Sequence, residues 1–121
     1  MNKDELYRVI TSATAEATLA KLYPDFVPKN ASLPAMSYTH NSNGRSRVLN
    51  GVSHGTWDIW RISISGNNRD ECDTIINEIN LLDGATSAMF QAVHILSVND
   101  EPANINSKVF MAFVDIKTFD K

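Results

Sequence analysis

The sequence predicts an α+β domain: a four-stranded mixed sheet with two helices on one face, in the order α-β-β-α-β-β, and a long arm between the first two strands. Three observations predict it. Apolar residues recur at spacings of three and four near the start of the chain and again over residues 69–82, which is the period of a helix. Trp60, Ile62 and Ile64 recur at every second position, which is the period of a strand. A polar stretch, residues 40–55, follows neither period and separates two strand-like runs. With 121 residues, 43% of them hydrophobic, the chain can fill one core but not two, so residues 1–121 read as a single domain.

The first helix is expected over residues 3–21, where Leu6, Ile10, Ala13, Ala17 and Ala20 line one face. Asn2 is placed to cap it, with Glu5 three residues on, and Pro24 to stop it. Three prolines in residues 24–34 make the next stretch a connecting loop. Short and longer strands follow at 35–39 and 57–65. Residues 40–55 between them hold two Asn-Gly turn signals and only scattered apolar residues, and read as a mobile hairpin arm. The second helix is expected over 69–82, with an Asn68-x-x-Glu71 cap, a shared face of Cys72, Ile75, Ile76, Ile79 and Leu82, and Gly84 to end it. Strands at 88–98 and 108–118 complete the order, separated by a turn-like segment. The second helix then joins two parallel strands by a crossover, and hairpins flank it.

In the last two strands both parities are apolar, as in Val109-Phe110-Met111-Ala112-Phe113-Val114, so both sheet faces require cover. Two helices cover one face only. The second is shielded either by the proline-rich loop and the arm or by a neighbouring subunit. Trp57 and Ile59 have the parity opposite to Trp60, Ile62 and Ile64 and are therefore expected on that second face.

Composition excludes several classes. Eleven basic residues against fourteen acidic ones give a net charge of −3, which disfavours general nucleic-acid affinity. No run approaches the ~20 apolar residues of a membrane span, and the polar opening Met1-Asn2-Lys3-Asp4-Glu5 lacks a secretory h-region, so a cytoplasmic protein is expected. On that expectation the Asn30-Ala31-Ser32 match to a glycosylation sequon is idle. A single cysteine, Cys72, precludes an internal disulfide and paired-thiolate zinc sites.

Candidate chemistry is sparse. Gly51-Val52-Ser53-His54-Gly55 fits the G-x-S-x-G string of a nucleophile elbow, but an elbow needs a strand before the serine and a helix after it, whereas here a loop precedes and a strand follows. His40, His54 and His94 have no metal-ligand spacing, although His40 and His54 would face each other near the base of a hairpin arm. Cys72, on the apolar helix face, reads as a small buried hydrophobe. Asp70, Glu71 and Asp73 sit where a helix N-terminus favours negative charge. No catalytic residue, metal or cofactor is therefore expected. Arg45 and Arg47, two cations on the arm of an acidic chain, are the remaining positive signal. In an extended arm they would share a side.

The pattern along nearly the whole chain resembles the small tail-completion, or tail-terminator, proteins of long-tailed bacteriophages. The residues that carry the resemblance are an N-terminal helix running into Leu22-Tyr23-Pro24, a loop ending Leu33-Pro34-Ala35-Met36-Ser37-Tyr38, the strand from Trp57 to Ser65, the helix starting Arg69-Asp70-Glu71, and the closing strand Val109 to Ile116. The resemblance implies a structural virion protein, without enzymatic activity, that assembles as a homo-oligomeric ring, typically a hexamer. Such a ring caps the tail tube at its head-proximal end and joins it to the head-tail connector, with DNA only as cargo passing through the lumen and no membrane partner. Interface residues expected on this reading are Arg45, Arg47, Trp57 and Ile59. Two alternatives remain at the level of sequence: a head-completion or adaptor protein, and a small monomeric α+β ligand-binding domain or enzyme.

Overall fold

A computed structural model describes residues 3–14, 21–28, 32–47, 53–101 and 109–120, by backbone alone at 45–47, 53–55 and 101. The elements in chain order are α1 (Lys3–Thr14), β1 (Lys21–Pro24), β2 (Ala35–Arg47), β3 (Ser53–Gly66), α2 (Arg69–Asn80), β4 (Phe90–Glu101) and β5 (Phe110–Asp120). The sheet has five strands, not four, in the order β1-β2-β3-β5-β4. β1 runs parallel to β2, and the other three pairs are antiparallel.

The additional strand corrects the expected helix boundary. The apolar period predicts one helix over residues 3–21, but Lys21 to Pro24 pair with Ala35 to Tyr38, and Ala17 and Ala20 lie outside the described residues. Pro24 is tolerated because β1 is an edge strand, where a missing N–H breaks no ladder on the open side. Asp25 then turns the chain at φ 66° and donates its N–H to Tyr38 O at 2.9 Å.

α2 begins where the cap predicts. Asn68 is extended and its side chain accepts the Glu71 N–H at 2.9 Å, while the Glu71 carboxylate accepts the Asn67 N–H at 2.8 Å. The helix ends near Leu81, and Gly84, at φ 80°, supplies the left-handed residue that lets the chain return. Its N–H donates to Val93 O, and Val93 N–H donates to Ala85 O, so residues 84–85 cover part of the free edge of β4.

Both helices lie on the same face, the one to which Trp60, Ile62 and Ile64 point. Leu6, Val9 and Ile10 of α1 and Cys72, Ile75, Ile76 and Ile79 of α2 meet Trp60, Ile62, Ile64, Val93, Ala112, Val114 and Ile116 in one buried cluster. The crossover expected through α2 links β3 to β4, but these strands are not neighbours. β5 lies between them, antiparallel to both, so they run parallel without pairing.

The arm expected as a hairpin over residues 40–55 is, over its described residues, formed by the paired ends of β2 and β3. β2 and β3 stay within the sheet as far as the Gly44–Trp57 pair, where Trp57 still pairs with Phe119, and run past it as a two-stranded ribbon from Arg45–Thr56 out to Arg47–Ser53. Asn43-Gly44, read as a turn signal, is mid-strand, opposite Asp58 and Trp57, and Asn50-Gly51 lies outside the described residues. The β2–β3 ladder carries one register shift between His40 and Ser42 and another between Ser46 and Arg47.

Candidate interface on the open sheet face

β3 and β5 are the central strands, so their outward residues form the middle of the face that the helices leave open. Strict alternation puts Trp57, Ile59, Arg61 and Ser63 of β3 there, and Met111, Phe113, Asp115, Lys117 and Phe119 of β5. They align in cross-strand ranks. Gly44, Trp57, Phe119 and Ala92 form one, Ser42, Ile59, Lys117 and His94 the next, and Thr39, Arg61, Asp115 and Ser97 a third. Trp57, Ile59, Met111, Phe113 and Phe119 are half-buried within the chain, each retaining surface for a further contact.

The charges on this face are set among the rings. Arg61 Nε and Nη2 donate to Asp115 Oδ1 and Oδ2 at 2.9 and 3.3 Å, and the guanidinium lies 5.4 Å from the centre of the Phe113 ring. Hydrogen bonding from Arg61 holds the Asp115 carboxyl below its usual range, against the opposing effect of burial. The Lys117 ammonium lies 4.5 Å from the Trp57 ring centre and 5.1 Å from that of Phe119. His94 meets Phe119 edge-on at 5.5 Å. Half-buried aromatic residues set closely around an exposed arginine are a composition enriched at protein-binding faces.

The residues singled out as chemistry fall elsewhere. Ser53 opens β3, so a strand follows it and no helix does, which is the reverse of a nucleophile elbow. Cys72 is fully buried and its thiol donates to Phe110 O at 3.4 Å; burial pushes its pKa up. His40 and His54 do not face each other. His40 lies opposite Trp60, and its Nε2 is 2.7 Å from Asp58 Oδ1, a carboxylate buried at the end of the core face. Among the described residues, no group of three or more His, Cys, Asp or Glu could hold a metal ion, and no helix is long and apolar enough to cross a membrane.

No protein-family model matches this chain, and no curated protein does. Solved structures do. The chain superposes on one from the "Virion of native gene transfer agent (GTA) particle" with a TM-score of 0.58, covering 93% of this chain and 84% of that one. This fold occurs in a virion. The two sequences are 11% identical, so the likeness is one of backbone architecture.

Of the sequence-predicted interface residues, Trp57 and Ile59 come together on the open face, two positions apart along β3. Arg45 and Arg47 do not join them. Their backbones pair with Thr56 and Ser53 in the ribbon, with a register shift between Ser46 and Arg47. Sequence reasoning missed Gly44, Arg61, Phe113, Lys117 and Phe119. For the β5 residues the signal was available: every second position from Met111 to Phe119 has the parity opposite to Ala112, Val114 and Ile116.

Proposed function

We propose that this chain is a structural virion protein of a phage-like particle that assembles as a hexameric ring, caps the finished tail tube and joins it to the head-side connector. The observation that carries this reading is the open sheet face. A fold that a virion chain shares over most of its length leaves Trp57, Ile59, Phe113 and Phe119 half-buried on a surface its own helices do not reach. A neighbouring subunit would complete that burial. The ribbon of β2 and β3 would then reach toward the tube or the lumen, where Arg45 and Arg47 would meet acidic groups or face passing DNA. A structural rather than catalytic role is supported by the strand setting of Ser53 and the burial of Cys72.

Electron microscopy of particles made without this protein tests the reading. Overgrown tails and heads without tails are the expected result. Tails of normal length joined to heads would overturn it. Replacing Arg45 and Arg47 together by serine is expected to leave thermal stability nearly unchanged and to reduce head-tail joining; joining at the normal rate would remove the arm from the proposal.

A further inference from the structure

We propose that Lys117, on the open sheet face, receives the acidic outer surface of α2 from a second copy of this chain, so that subunits join sheet face to helix face. The inference rests on the ring reading and names its contact.

Lys117 lies between Ile59 and His94 in its rank, with its ammonium over the rings of Trp57 and Phe119. The rings hold the charge in place and remove part of its water, which strengthens its attraction for an arriving carboxylate. The acid nearest to it along β5, Asp115, is already bound to Arg61 and Ser97. Among the described residues Lys117 makes no ion pair. The face thus presents a positioned cation in an apolar surround.

The complementary surface is on the opposite layer. α2 carries Arg69 against Asp70, Glu71, Asp73 and Glu78, one positive and four negative charges, a net of −3. Asp70 and Asp73 are exposed near its start, three positions apart and therefore on one side of the helix. Because α2 packs its Cys72, Ile75, Ile76 and Ile79 on the other side of the sheet, a chain cannot bring its own α2 to its own Lys117. A contact between two unlike patches propagates in one direction and closes where the rotation allows, as a ring requires. Pairing two open faces about a twofold axis would instead bring two Lys117 side chains toward each other, which like charge disfavours.

Two full-length variants test this, Lys117→Glu and the double variant Asp70→Lys with Asp73→Lys, each checked for folding by circular dichroism. Mass photometry of each variant alone should show assembly shifted to at least about tenfold higher concentration, the scale of one lost charge contact. Mixing the two should restore rings in which the variants alternate. One junction then sets the introduced glutamate against the introduced lysines, and the next sets Lys117 against Asp70 and Asp73. Wild-type rings that persist in both folded variants, or a mixture that stays dissociated, would overturn the contact while leaving the ring intact. A wild-type chain that is monomeric at every concentration would overturn the ring reading and this contact together. As a control for packing, Lys117→Met should weaken assembly and not be rescued by the mixture; full assembly of this variant would also overturn the role of the charge.

Discussion

The indole of Trp57 lies against Gly44, its partner across the β2–β3 ladder, so closely that a Cβ on Gly44 would come within 2.6 Å of Trp57 Cε2. The glycine makes room for the ring, and the seated ring in turn carries the Lys117 ammonium. Glycine in a strand ordinarily weakens it. Here the close approach reverses the usual benefit of adding a side chain.

Gly44→Ala should therefore destabilise the fold, by about 1–2 kcal/mol, as overpacking of a fitted site does. Trp57 would have to leave its seat. Thermal denaturation and tryptophan fluorescence would read both effects, and an alanine variant at least as stable as the wild type, with unchanged emission, would refute the fit.

Glu5 ties α1 to the segment before β4. Its carboxylate accepts from Arg8 Nε at 2.7 Å and from Ser87 Oγ and the Met89 N–H at 2.8 Å each. The Arg8 hydrogen bond first, then that from Ser87, lower its pKa from 4.5 to about 2. A carboxyl with a depressed folded pKa contributes stability that is fully present above its unfolded value and is lost as pH falls through the folded value. Glu5→Gln should thus be less stable than wild type at pH 7, and the difference should shrink between about pH 4.5 and 2. Chemical denaturation across that range checks it; a gap that does not change with pH would contradict the tie.

Ile75 is fully buried between α2 and the sheet, whereas Leu81, six residues on, is among the most exposed apolar side chains. Ile75→Ala should cost about 2–5 kcal/mol through lost burial and a residual cavity. Leu81→Ala should change monomer stability by no more than about 0.5 kcal/mol. Paired urea titrations compare them directly.

Ile59 shares the open face with Trp57, and burying such a side chain against a neighbour contributes about 1.5–3 kcal/mol before association costs. Ile59→Asp should leave the fold intact and weaken assembly, read as a fall in particle mass at fixed concentration. A folded variant of unchanged oligomer mass would count against this face as the subunit contact.

The Cys72 thiol, buried and with its pKa raised, should react slowly with an aromatic disulfide reagent at about pH 8 and completely once the chain is denatured. Rapid labelling of the native protein would place the thiol at the surface.

The start and face of α2 and the parity of β3 were legible in the sequence because they follow from contacts two to four residues apart. Asn68 and Glu71 close a cap within a single turn, and Trp60, Ile62 and Ile64 must point the same way wherever the strand pairs. The uncovered face followed from the same alternation, through Trp57 and Ile59. Pairing was decided by tertiary structure. A four-residue strand ending in proline, Lys21–Pro24, has no periodic signal and exists only because Ala35–Tyr38 offers it an edge. The insertion of β5 between β3 and β4 joins Trp60 to Ile116 and Ile95 to Ile116, partners 56 and 21 positions apart that no local pattern records. Backbone ladders use the same N–H and C=O groups at every residue, so the chain's side chains state which way a strand faces but not which strand lies beside it. The same holds for Lys117: its parity could be read, but its place over Trp57, sixty residues earlier, required the sheet to close around them.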